Sequence, residues 1–156
     1  MELNYKQTIL LQLSIALVYL LVAIVALEFA TTSGNGTLLW PPAGLALAAL
    51  IKFGARNSIL AIFLGAYAAG VYVGNTALTN LMIAVGNTLE PLATIFLLRY
   101  LPFTATLYRV TDYISLIFAG SIGAITSALI GGLALILAGF IPLSSYPDIA
   151  LNWWQG

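Results

Sequence analysis

The chain has 156 residues, of which 62% are hydrophobic and 6% charged, with five basic and five acidic residues and a net charge of zero. A soluble domain is about one-quarter charged, so this balance excludes a soluble globular fold, and the lack of a basic surface excludes a nucleic-acid partner. The absence of cysteine and histidine removes disulfide scaffolds, thiol nucleophiles, haem held by histidine or thiolate, and the usual zinc sets; the remaining residues identify no cofactor.

Apolar residues gather into stretches near the length of about 20 residues that a membrane helix needs, and the period-two alternation of a membrane β-barrel is absent. The fold class is all-α, a polytopic transmembrane helical bundle with about five spans. The first is expected at 8–29, too long for a signal-peptide core and so retained. Glu28 stands near its end, where it either reaches the headgroups or shares an outer cavity. The connection at 31–37 contains Gly34, Asn35, Gly36 and Thr37, but it lacks the lysine and preceding strand of a phosphate loop.

The second span is expected at 38–53 and opens on Leu39-Trp40-Pro41-Pro42-Ala43-Gly44-Leu45-Ala46. Proline is tolerated in a first helical turn but not deeper, so the helix starts near Pro41. A dozen residues are then too few for a full crossing. Two readings are open: a proline-initiated helix with Trp40 as an interface anchor, or a helix start below the outer surface whose free N–H groups face a polar or anionic ligand.

The third span is expected at 57–73 and the fourth at 77–99. Within the fourth, Gly86-Asn87-Thr88-Leu89-Glu90-Pro91 interrupts the apolar pattern. Pro91 predicts a kink. A carboxylate in hydrocarbon must pair, protonate or face a wet cavity. Asn87, Glu90 and Thr94 share one helix face, either lining a cavity for binding or switching or serving as an interhelical hydrogen-bond clamp. The fifth span is expected at 113–141, preceded by a connection in which Asp112 caps the helix and Arg99 and Arg109 reach towards lipid phosphates. Small residues form packing faces: Gly65, Gly70 and Gly74 in the third span, and Gly123, Ser127 and Gly131 in the fifth.

All five basic residues, Lys6, Lys52, Arg56, Arg99 and Arg109, fall on one side of this alternating path. By the positive-inside rule that side is cytoplasmic, with the N-terminus inside. The stretch 141–152 is then an external connection. Tyr146, Trp153 and Trp154 form an outer aromatic belt, and a sixth span is expected to begin near Leu151.

Three segments resemble the first family of bacterial membrane-associated sensor domains: Leu39-Trp40-Pro41-Pro42-Ala43-Gly44-Leu45-Ala46, Phe63-Leu64-Gly65-Ala66-Tyr67, and Ile83-Ala84-Val85-Gly86-Asn87-Thr88-Leu89-Glu90. The closing Asn152-Trp153-Trp154-Gln155-Gly156 is similar to the start of that family's Trp-Trp-x-Gly-Asp region. The resemblance implies a multi-pass domain of the bacterial inner membrane, of which this chain is the N-terminal part. It also implies a sensory input role without chemistry of its own, ahead of cytoplasmic histidine kinases or cyclic di-GMP cyclases and phosphodiesterases. Expected partners are membrane lipid, an unidentified small-molecule signal, the downstream cytoplasmic module and a second copy of the chain. The candidate signal cavity comprises Trp40, Pro41, Pro42, Asn87 and Glu90, with Glu28 and Thr94 as possible additions. A small transporter is the competing reading, since a short helix and a carboxylate beside a proline suit transport as well.

Overall fold

The computed structural model describes residues 4–30 and 39–155; the 31–37 connection and Leu38 lie outside the described residues. The elements are α1 (Tyr5–Ala30), α2 (Pro41–Phe53), α3 (Ala55–Val73), α4 (Ala77–Leu98), α5 (Val110–Leu137), a 3-10 turn (Leu143–Ser145) and α6 (Tyr146–Gln155), with no strand among the described residues. α1, α3, α4 and α5 are long and apolar enough to cross a membrane. α2 is not, because it begins only at Pro41 and Pro42 and is 13 residues long in all, about 20 Å of helix. The five expected spans are therefore four helices of full length and one short apolar helix.

The packing is that of a membrane bundle. Buried positions are held by small residues such as Ala23, Ala46, Ala61, Ala84 and Ala119, while Leu10, Leu17, Ile117 and Phe118 point outward. In lipid no hydrophobic drive separates leucine from its surroundings, so association rests on close approach and hydrogen bonds. A Cβ on Gly65 of α3 would stand 2.9 Å from the Ala16 carbonyl of α1, and further along Tyr72 Oη donates to Glu28 Oε1 at 2.6 Å. α1 and α3 therefore run side by side in the same direction. α4 returns against α3 through Gly70 and Asn80, and α5 returns against α4 through Gly123 and Thr94. This alternation gathers all five lysines and arginines towards one end of the bundle.

Helix ends follow local chemistry. Gly74 has φ +88° and terminates α3, with Asn75 N–H donating to Gly70 O at 3.2 Å and Gly74 N–H to Val71 O at 3.0 Å. Gly139, at φ +74°, ends α5 the same way, with Phe140 N–H on Leu135 O at 3.0 Å. Only a residue free of the Cβ penalty closes this motif comfortably. The fifth helix consequently stops at Leu137 rather than 141, and it starts at Val110 rather than 113.

The last helix departs from expectation. It begins at Tyr146, before Leu151, because Pro147 and Asp148 suit a first turn. Its aromatic residues are not a belt along a surface but lie against α5. Tyr146 Oη donates to Leu129 O at 3.0 Å, Trp154 Nε1 donates to Ser121 O at 2.7 Å, and the Trp153 indole lies over Gly131. α6 thus runs back along α5 in the opposite direction.

The connection between α4 and α5 is organised around Asp112. Its fully buried carboxylate accepts from Thr104 N–H (2.8 Å), Thr104 Oγ1 (3.0 Å), Arg109 N–H (3.0 Å) and Arg109 Nη2 (2.8 Å). Arg109 is therefore folded onto Asp112, not extended towards phosphates, and the carboxylate beside it raises its already high pKa. Replacing Asp112 by Ala would strand these donors. The expected result is rapid protease cleavage within 100–109, with Asp112→Asn intermediate, measured by limited proteolysis in lipid nanodiscs.

Candidate functional site

Trp40 ends the non-helical entry to α2 and packs beside Tyr19, halfway along α1. The head of α2 therefore lies at mid-depth of the bundle. Pro41 and Pro42 carry no N–H, and Ala43 N–H donates to Trp40 O at 3.1 Å. The prolines remove the orphan donors that a buried helix start would otherwise strand. The expectation of free N–H groups facing an anion is therefore not met.

Beneath this point is a cavity of about 380 Å³. Its walls are apolar: Leu27 from α1, Val73 from α3, Ile83 from α4, Leu135 from α5, and Ile149 and Trp153 from α6. Its polar part is formed by Trp40, Asn75, Asn87, Glu90 and Ser127. Ser127 Oγ donates to Glu90 Oε2 at 2.5 Å. Asn87 is 5% exposed and its Oδ1 has no hydrogen-bond partner among the described residues. Tyr19, fully buried, holds its hydroxyl near Trp40, Asn87 and Glu90, with none of the described residues in full hydrogen-bond geometry to it. Unpaired buried polar atoms are rare and costly. Among the described residues no lysine or arginine lines the cavity.

The cavity brings together Trp40, Asn87 and Glu90 from the sequence-derived set. Pro41 is exposed and Pro42 buried in the packing; neither lines the cavity, and both act by setting Trp40. Thr94 is turned away, with Oγ1 donating to Glu90 O at 3.0 Å. Its hydroxyl and backbone N–H meet α5 at Gly123. Glu28 follows the wall residue Leu27 but takes the Tyr72 hydroxyl at the surface.

The packing residues divide similarly. Gly65, Gly70, Gly123 and Gly131 sit where a Cβ would collide with Tyr19, Asn80, Thr94 and Trp153, whereas Gly74 has open space around it and serves the helix end. Ser127 does more than allow close approach, because it is the hydrogen-bond partner of Glu90. Tyr19 was not singled out in the sequence, and Trp153, expected in an outer aromatic belt, instead forms a wall of the cavity. A tyrosine hydroxyl in mid-span, which needs a partner when buried, was the available signal for the first.

Neither a curated protein nor a solved structure matches the chain. The family model named MASE1 matches residues 11–156, from within α1 to the end of the chain. This match covers the Trp40–Pro42 entry, the Asn87–Glu90 insert and the closing tryptophans. The chain therefore belongs to the MASE1 family, membrane-associated sensor domains found N-terminal to histidine kinases and cyclic di-GMP enzymes.

Proposed function

We propose that the chain is a sensory input domain that detects a small molecule in the cavity bounded by α1, α3, α4, α5 and α6. The signal passes to a cytoplasmic module of the same polypeptide, a histidine kinase or a cyclic di-GMP cyclase or phosphodiesterase. The observation that carries this reading is a ligand-sized space in a sensor-family domain where Glu90, Ser127 and the unpartnered Asn87 Oδ1 meet. An occupant touching α4, α5 and α6 together stabilises one arrangement of these helices over another, and that differential affinity is what shifts a population. The basic end faces the cytoplasm of a bacterium with the domain in the inner membrane, so the cavity, beside Leu27, Val73 and Asn75 at the opposite ends of α1 and α3, opens outward.

The test uses the natural polypeptide that carries the output module, with matched membrane levels of wild type, Glu90→Gln and Asn87→Ala. The expected result is a change of about fivefold or more in signal-dependent autophosphorylation or cyclic di-GMP turnover, the lower range of an allosteric coupling. Wild-type responses from both variants would sink the proposal.

A further inference from the structure

We infer that the cavity holds an organic ammonium ion: a compact molecule with one protonated amine and an apolar body. The inference deepens the sensory reading and rests on it for its biological meaning.

Two groups of the cavity, Glu90 and Asn87, offer acceptors that call for a donor. Glu90 retains Oε1 after Ser127 occupies Oε2, and Asn87 Oδ1 is buried without a partner. These two acceptors are three residues apart on one face of α4. An ammonium group carries three N–H donors and a positive charge, so one headgroup can serve both oxygens and neutralise the carboxylate. No basic side chain lining the cavity competes for that position. Trp40 and Trp153 add two indoles, the best aromatic partners for a cation.

Other ligand classes fit less well. An anion would meet Glu90 with no lysine or arginine to offset it, and the paired prolines remove donors from the head of α2. A bare metal ion needs several oxygen ligands at short range, and no cluster of three or more acidic, cysteine or histidine side chains occurs among the described residues. A wholly apolar molecule would leave Asn87 Oδ1 unpaired. The walls at Leu27, Val73, Ile83, Leu135 and Ile149 instead provide an apolar surface for the remainder of an amine.

The experiment is a titration of the chain in lipid nanodiscs at neutral pH, followed by tryptophan fluorescence and calorimetry, with empty nanodiscs to subtract partitioning. The probes are phenethylamine, 2-phenylethanol and phenylacetate, which share a ring and differ in the headgroup. The expected result is saturable binding of the amine, about tenfold or more tighter than the alcohol, the effect of one charge-assisted hydrogen bond, and no saturable binding of the acid. Glu90→Gln should remove the preference for the amine. Val73→Phe, which narrows the mouth at a half-exposed position, should block the amine while leaving the circular dichroism spectrum and melting profile of the chain unchanged.

Equal affinity for amine and alcohol, or amine binding unaltered by both variants, overturns the ammonium assignment. An output response lost in Glu90→Gln without any amine selectivity likewise overturns the ligand class while leaving the sensory reading intact. Amine binding that depends on Glu90 in a polypeptide whose output ignores it supports the ammonium site and removes the sensory reading.

Discussion

Gly123→Ala should weaken the contact between α4 and α5 by about 1–3 kcal/mol, the range for overpacking a filled interior, and Gly123→Leu by more. The added Cβ would collide with Thr94 Oγ1 and stand 2.9 Å from the Glu90 carbonyl. The first atom belongs to a side chain and the second to backbone, so a new rotamer cannot relieve both. Thr94→Ala in the same chain should restore only part of the loss. A double-mutant cycle of unfolding by sodium dodecyl sulfate in mixed micelles, read by helical circular dichroism, measures that coupling. Full rescue by Thr94→Ala would show that the backbone approach is looser than described. The damage should extend to the cavity, because Ser127 lies one turn beyond Gly123 and reaches Glu90 from the same face of α5.

Tyr19 should separate size from polarity. It is among the largest fully buried side chains, packed against the close approach at Gly65. Tyr19→Ala leaves a cavity that rigid helices cannot fill, with an expected loss of about 3 kcal/mol or more in the same assay. Tyr19→Phe removes only a hydroxyl that has no partner among the described residues, so stability should hold or rise by about 1 kcal/mol, since desolvating that group is no longer required. A large loss in Tyr19→Phe would mean that the hydroxyl is satisfied, by water or by a ligand retained from the membrane. The pair of variants therefore reports on occupancy of the cavity region as well as on packing.

The four long helices were legible because charge-free stretches near bilayer length have no other common explanation. The shortness of α2 was legible from two adjacent prolines. Asn87 and Glu90 stood out because polar residues in mid-span are expensive. The role of Ser127 did not, since serine is equally at home on a small-residue packing face, and only the angle of α5 against α4 directs it to Glu90. Tyr19 sits in a helix that is apolar on every side, so no periodicity marks its inward face. Gly74 read as one more small residue until its positive φ showed that it ends α3. The Arg109–Asp112 cluster joins groups that each have an ordinary interfacial role alone. The course of α6 depends on Gly131 and Gly132 leaving room for two aromatic rings, which no local pattern in 146–155 specifies.

The 13-residue α2 has a consequence for how the chain enters a membrane. Insertion machinery admits segments one by one according to their partition into lipid, and a helix of about 20 Å gains too little hydrocarbon contact to be held there alone. α2 is joined to α3 through Gly54 alone, at φ +78°, and Ser58 Oγ donates to Ala49 O across that bend at 3.0 Å. α2 and α3 are therefore a hairpin that partitions as one unit, with the length of α3 compensating for the shortness of α2. The mid-depth start that gives the cavity Trp40 is available only because α2 does not have to insert by itself.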